Sequence, residues 1–300
     1  MSDSKQDVKR FFSERVAEWA AHYSDLEPRD LGARNVRSRR RFAVEMVGPA
    51  VPHALKVLDV GCGTGEVAAA LMELGHDVWG MDIAEPMVRH VRARLASNRF
   101  WVGDIEHIPF EDGTFDVVTC LGVIEYQASD EPALREIWRV LKPGGRAIVS
   151  TPSASSPLHY MDRLGGLMSA ARPFYRLVKY RLRQRTYPSD QPSGRVVNRK
   201  YYRGSWLRAL RSAGFEADGW ICHGWGWYRS EASLVAQYLS LSVTGAFRLL
   251  ERLIGKTAVG RVSDGFVRSR ALNWLGSEQI VRVRAIKSAM LRMLILGVVL

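Results

Sequence analysis

Cysteine is scarce in this sequence, and the three present, Cys62, Cys120 and Cys222, lie far apart. That excludes a disulfide framework, and the spacing offers no zinc-type ligand set, so no metal site is expected. Long apolar runs are missing too. No stretch approaches the roughly 18 apolar residues of a membrane-spanning helix. Residues 1–10 lack the apolar core of a secretory leader, so a cytoplasmic, reducing setting is expected. Acid is what the second half lacks. Residues 151–300 hold 24 Lys and Arg against 8 Asp and Glu, a net +16, whereas residues 1–150 hold 19 against 23, a net −4. The overall charge of +12 therefore belongs to one half. Such asymmetry suggests an anionic partner there: membrane headgroups, an acidic substrate or nucleic acid. No internal repeat is visible. With 300 residues, 47% of them hydrophobic, the chain suffices for one large domain with additions.

The most informative stretch is residues 56–65, K-V-L-D-V-G-C-G-T-G. Val57, Leu58 and Val60 give the apolar, β-branched run of a buried parallel strand. Gly61, Gly63 and Gly65 follow at alternate positions, then a helix-like segment at 66–74. Strand, glycine turn and helix together form a loop that a ligand can approach closely, beside the free N–H groups of a helix start. The spacing is G-x-G-x-G rather than the G-x-G-x-x-G of dinucleotide folds. Asp59 precedes the first glycine by two residues. An acid there repels a pyrophosphate but suits a cofactor with a cationic end. The D-V-G-C-G-T-G run resembles the cofactor loop of class I S-adenosylmethionine-dependent methyltransferases. The resemblance implies S-adenosyl-L-methionine as cofactor, with Asp59, Gly61, Gly63 and Gly65 around it.

The rest of the first half keeps strand and helix in alternation. Residues 77–82 read as a second strand ending in Asp82, where a carboxylate can accept hydrogen bonds from both ribose hydroxyls. A helix at 85–96 and a short strand at Phe100 and Trp101 follow, then Asp104, which in the family contacts the adenine amino group. Ile83, Ile105 and Leu121 complete the expected cofactor set. I-P-F-E-D-G-T-F-D-V-V at 108–118 resembles the quinone-biosynthesis-like branch, methyltransferase type 11, as does A-L-R-E-I-W-R-V-L-K-P-G-G-R at 133–146. Strands then fall at 117–121, 146–150, 215–223 and 279–286, the last expected antiparallel. The implied fold is α/β: a doubly wound, seven-stranded, mostly parallel sheet of the Rossmann-like methyltransferase type. N-terminal cap helices (1–54) precede the cofactor core (55–151). A basic and apolar insertion (152–198) follows, and the remainder (199–300) carries a helical insertion at 229–277.

Helical spacing at 5–21, with Phe11, Phe12 and Trp19, predicts a helix over the mouth of the site, and Tyr23 at its end is a candidate substrate contact. A second helix is predicted at 27–47, with Arg37, Arg39, Arg40 and Arg41 read as a solvated face. Quinone-type relatives often read E-x-x-E-H after the fourth strand. Here Gly122 and Tyr126 stand at two of those places and Glu125 remains. Transfer to a neutral hydroxyl needs a base. Glu125, His159 and His223 are the candidates, and Tyr126, Trp225 and Trp227 are candidate pocket walls. The chain lacks the N/D-P-P-Y/F run of base-amino methylation and the Pro-Cys pair of cytosine methylation. The reading is O-methylation of a small or lipid-linked hydroxylated acceptor, with nucleic acid disfavoured. Carbon methylation, RNA methylation and a cofactor-binding scaffold are the alternatives. Residues 172–211 hold 12 basic residues against Asp190 alone, among many apolar ones. That stretch is a lid, an element lying on an anionic membrane, which would make the protein peripheral, or a nucleic-acid face.

Overall fold

The computed structural model describes residues 3–23, 31–155, 198–223 and 278–287. Its strands are β1 (Lys56–Val60), β2 (Asp77–Asp82), β3 (Phe100–Val102), β4 (Phe115–Leu121), β5 (Leu141–Pro152), β6 (Phe215–His223) and β7 (Glu278–Ala285). Its helices are α1 (Asp3–Ser13), α2 (Val16–Tyr23), α3 (Leu31–Val47), α4 (Glu66–Glu73), α5 (Glu85–Leu95), α6 (Glu131–Val140) and α7 (Arg203–Ser212), with a short 3-10 turn at Ile124–Tyr126. The strands form one sheet in the order β3-β2-β1-β4-β5-β7-β6. Neighbours pair in parallel from β3 to β5, and β7 runs antiparallel to both β5 and β6. This is the expected seven-stranded, mostly parallel α/β sheet.

Alternation along β1 divides the core between two faces. Leu58 and Val60 pack with Ile137 of α6 and Trp206 of α7. Val57 packs on the other side with Phe42 of α3, Leu71 of α4 and Val88 of α5. Burial on both faces is why β1 reads as an almost unbroken apolar run. The chain leaves β1 towards β2 and β3, then crosses back to lay β4 on the other flank of β1. The order reverses between β1 and β4, where open α/β sheets bind ligands at the strands' carboxyl ends.

Several boundaries differ from the pattern reading. The single helix expected at 5–21 is two, α1 and α2, broken at Glu14 and Arg15. Arg15 turns back there: its guanidinium lies 4.0 Å from the centre of the Phe11 ring and donates to the Phe11 carbonyl at 3.2 Å. The helix expected from residue 27 is described from Leu31. α7 starts only at Arg203, because Tyr201 is drawn into an extended bridge with Ser153 and its hydroxyl donates to Asp130 at 2.7 Å. β5 begins at Leu141 and runs through the P-G-G turn, with a register shift opposite Phe115 and Val117. The two expected insertions fall almost wholly outside the described residues. Among those described, no helix is long and apolar enough to cross a membrane.

Leu58 is fully buried between β2 and β4. Leu58→Ala is expected to cost roughly 2–5 kcal/mol, because rigid strands on both sides cannot collapse into the space. A urea titration followed by circular dichroism reads this, and a loss under 1 kcal/mol would contradict the two-sided packing.

Candidate active site

The turn after β1 is tied to the end of β2. The Gly61 and Cys62 N–H groups donate to the Met81 carbonyl at 2.7 and 3.0 Å. The Gly63 N–H donates to one Asp82 oxygen at 2.9 Å, and the Ala84 N–H to the other at 2.9 Å. At Gly61, φ is +71°, and a Cβ would stand 2.2 Å from Val123 Cγ2. The loop therefore passes directly against the segment that follows β4, a closeness only glycine permits.

Between these two segments opens a cavity of about 1090 Å³, counting space open to solvent. Eight of the nine expected cofactor residues line it: Asp59, Gly61, Gly63, Asp82, Ile83, Asp104, Ile105 and Leu121. Gly65 does not; it stands at the start of α4 with φ +83°. Tyr126 is in the wall, and α1 and α2 supply Lys5, Val8, Phe12 and Trp19. The Phe12 and Tyr126 rings meet edge to face, 5.4 Å between centres. The cap-helix expectation thus gains named contacts. Tyr23 ends α2, while His159, Trp225 and Trp227 lie outside the described residues.

The acids of the wall are held individually. Asp59 is almost fully buried and accepts from Thr119 Oγ1 of β4 at 2.7 Å. Burial pushes its carboxyl up to about 7, and an ammonium group beside it would draw it down again. Burial also raises Asp82, opposed by its backbone N–H donors. Asp104 accepts from Lys5 Nζ at 2.5 Å, and the same ammonium reaches Glu106 at 2.6 Å. Lys5 is a feature that periodicity could not reveal: it fastens α1 to the far end of the cavity. Arg39 and Arg40 of α3 were missed in the same way, having been read as a solvated face; both line the cavity.

The candidate bases require correction. Glu125 is 4% exposed and His223 1% exposed, and neither lines the cavity among the described residues. They belong to a buried ionic cluster behind the wall. His223 Nε2 is 3.4 Å from Glu278, Glu278 is 3.6 Å from Arg39, and the Arg199 N–H donates to the Glu125 carbonyl at 3.0 Å. Burial pushes the Glu125 carboxyl up to about 8 and His223 down to about 4. Both are therefore mainly neutral near pH 7, as isolated buried groups tend to be. Among the described residues both stand behind the cavity wall rather than in it. Among the described residues, no cluster of ligating side chains could hold a metal ion.

Fold, glycine turn and cavity together define a nucleoside-cofactor enzyme of the doubly wound type. The methyltransferase domain family matches residues 58–149. The chain is 36% identical over 179 residues to a demethylmenaquinone methyltransferase of Thermus thermophilus, covering 80% of that protein and 51% of this one. It is 40% identical over 104 residues to a malonyl-[acyl-carrier protein] O-methyltransferase of Erwinia pyrifoliae, but spans only 40% of that relative's length. Its fold is similar to the magnesium protoporphyrin IX methyltransferase of Synechocystis solved with bound S-adenosylhomocysteine. There the TM-score is 0.56 at 16% identity, over 94% of this chain and 99% of the other. The chain belongs to the class I S-adenosylmethionine-dependent methyltransferases, in the branch that includes the ubiquinone and menaquinone enzymes. It is an enzyme of that class, and S-adenosylmethionine is its cofactor.

The residues suit that cofactor. The Asp82 carboxylate stands in the wall with acceptor capacity to spare, and apolar Ile83, Met87 and Ile105 flank it. The buried Glu125 carboxyl gives a pH signature. Its folded value near 8 lies above the ordinary 4.5, so its contribution is present at low pH and lost as pH rises through about 8. Asp59 behaves likewise, but its share is lost by about 7. His223 has the opposite sign, its stabilising share being lost only as pH falls from 6.5 through about 4. Stability should therefore fall between about pH 7 and 8 through Glu125, and Glu125→Gln should flatten that segment. Urea midpoints at half-unit pH steps measure it; an unchanged slope in the variant would refute the assignment.

Proposed function

We propose that the protein transfers the methyl group of S-adenosylmethionine to an oxygen of a small or lipid-linked acceptor. The observation that carries this reading is a single cavity that brings Asp82, Ile83 and Asp104 together with Phe12, Trp19 and Tyr126. We assign Asp82 to the ribose hydroxyls, Asp104 with Ile105 to the adenine end, and Asp59 with the glycine turn to the amino-acid end. Gly65 serves by starting α4.

When bound, the cofactor supplies an electrophilic methyl on a positively charged sulfur. The protein must then align an acceptor oxygen with it and keep water out. Phe12, Trp19 and Tyr126 are placed for both tasks, offering flat apolar surface where α1 and α2 meet the segment after β4. Relatives named for a quinone precursor and for an acyl-carrier-linked acid support an acceptor that is either oily or carrier-borne. Carbon methylation on a similar acceptor is the second reading. The boundaries 1–54, 55–151, 152–198 and 199–300 remain our proposed division of the chain, cytoplasmic placement our proposed setting, and peripheral attachment through 152–198 a proposal for that segment.

Asp82→Ala should weaken S-adenosylhomocysteine binding at least tenfold by calorimetry, since two charge-assisted hydrogen bonds are lost. Unchanged affinity would remove the ribose assignment. The acceptor class is read with radiolabelled S-adenosylmethionine and a lysate of the protein's own organism, partitioned between solvent, water and precipitate. Label in the organic phase is the expected outcome. Label confined to precipitated nucleic acid would overturn the small-acceptor reading, label on a precipitated carrier protein would mark a carrier-borne acceptor, and no label anywhere would favour the scaffold.

A further inference from the structure

Arginine is concentrated at one place on the sheet that the cavity does not use. Arg146 of β5 and Arg284 of β7 stand directly opposite each other in the antiparallel pair, and Arg282 lies two residues from Arg284 on the same face. Like charges directly opposite across a strand pair are destabilising. The face is the one on which Ile148 and Ile280 pack with Phe42, Met46 and Val47 of α3. Cover by α3 ends at Val47, whose carbonyl accepts from Arg146 Nη2 at 3.5 Å. Beyond that helix end the strands present guanidinium groups in place of aliphatic ones. Arg146 aligns with Val117 near the start of β4, whereas Leu121 at the end of that strand lines the cavity; none of the three arginines does.

Neighbouring backbone is shaped around these groups. β6 has a bulge between Ala217 and Gly219, and Asp218 is its extra residue. The Asp218 carboxylate accepts from Arg282 Nε at 2.8 Å and lies 3.6 Å from Arg284 Nη2. Arg282 lies across Gly219, its Nε 3.5 Å from where a Cβ would stand. Because Asp218 engages Arg282 through Nε, the Nη edge stays available. Arg146 makes no ion pair among the described residues. Burial, together with Arg282 and Arg284, holds its guanidinium below the ordinary range, with Asp218 opposing. Glu216 faces Arg284 from β6, but it is exposed and makes no ion pair among the described residues. Asp218 is thus the one acid paired with the group, and three guanidinium charges against one carboxylate leave two positive charges.

We propose that Arg146, Arg282 and Arg284 form a phosphate-binding subsite beyond the C-terminal end of α3. A phosphate monoester carries about −1.5 to −2 charge near pH 7 and several strong acceptor oxygens. It matches the two uncompensated positive charges and can be met by more than one planar fork at once. A bound phosphate would also end the repulsion between Arg146 and Arg284. Two sources share the chemistry: a soluble phosphate monoester and the phosphate of a lipid headgroup. The subsite stands apart from the cofactor cavity, so its test needs no S-adenosylmethionine.

Inorganic phosphate is titrated calorimetrically into the unaltered protein, Arg284→Gln and Arg146→Gln, at constant ionic strength with sodium chloride as the balancing salt. Thermal melts confirm folding. Arg284 is exposed, and its variant carries the test alone if Arg146→Gln does not fold. A dissociation constant raised about tenfold or more in the variants is the expected result. Flotation with phosphatidylcholine vesicles, with and without phosphatidylglycerol, then separates the sources. Capture by phosphatidylglycerol that Arg284→Gln abolishes assigns the subsite to a lipid headgroup. Phosphate binding with no Arg284-dependent capture assigns it to a soluble phosphate monoester. If Arg284→Gln changes neither phosphate binding nor vesicle capture, the subsite is overturned. Capture of RNA that Arg284→Gln abolishes, with no binding of phosphate or vesicles, overturns it in favour of a nucleic-acid face.

Discussion

Asp82 joins the end of one strand to the turn that follows another, and the site depends on that junction. Its two oxygens accept N–H groups from Gly63 and Ala84, so one carboxylate fixes both the glycine turn after β1 and the start of the segment leading to α5. The Met81 carbonyl adds two further bonds from the same turn. With the turn pinned, Gly65 is delivered to the start of α4, and Gly61 is pressed against Val123 on the far side. Three elements from distant parts of the chain are thereby set within one cavity. The arrangement leaves a buried acid that burial pushes towards protonation and backbone donors hold ionised. Such opposed forces recur where a protein prepares a polar group for a ligand.

Behind the wall, polarity serves a different purpose. Arg199 pairs with Asp130 and donates to the Ile124 carbonyl, Tyr201 donates to Asp130, and Gln279 donates to the Tyr201 carbonyl. With Glu125, His223, Glu278 and Arg39 these contacts join the 3-10 turn to α3, β6 and β7. The cluster thus fixes the backbone that carries Tyr126 into the cavity. Residues suited to proton transfer by type are used here for position, and burial decides which role they fill. A carboxyl near 8 with no route to the acceptor works as a strut.

The cofactor half was legible in the sequence because it is local. Strand, glycine turn, helix and a following acid are set by short-range sterics and hydrogen bonds, so spacing and resemblance together pointed to Asp59, Gly61, Gly63 and Asp82, which share one cavity. That the sheet is mostly parallel followed from the alternation of strands and helices, and its seven strands with an antiparallel last one from the family resemblance. The acceptor half was not legible in this way. Lys5 joins Asp104 across 99 residues, and Arg39 meets Gly122 and Glu278 through tertiary packing alone. Nothing in the R-S-R-R-R run of α3 distinguishes a buried guanidinium from a solvated one. The burial of Glu125 was hidden for the same reason. Its place after β4 was right, but the 3-10 turn rotates its side chain away from the wall and brings Tyr126 in.

The division has a physical logic. A cofactor common to many enzymes can be held by a short motif whose geometry is fixed locally. An acceptor particular to one enzyme must be shaped by surfaces brought from elsewhere, here α1, α2 and α3 closing on the carboxyl ends of β1 and β4. Those helices contribute both the aromatic surface and the cations, while the sheet contributes the acids. On the proposed assignment of the cavity, substrate choice follows how the N-terminal helices pack. Lys5, bridging Asp104 and Glu106, makes that packing electrostatic as well as apolar. A change at α1 would consequently reach two parts of the cavity wall at once, Asp104 through Lys5 and Tyr126 through Phe12.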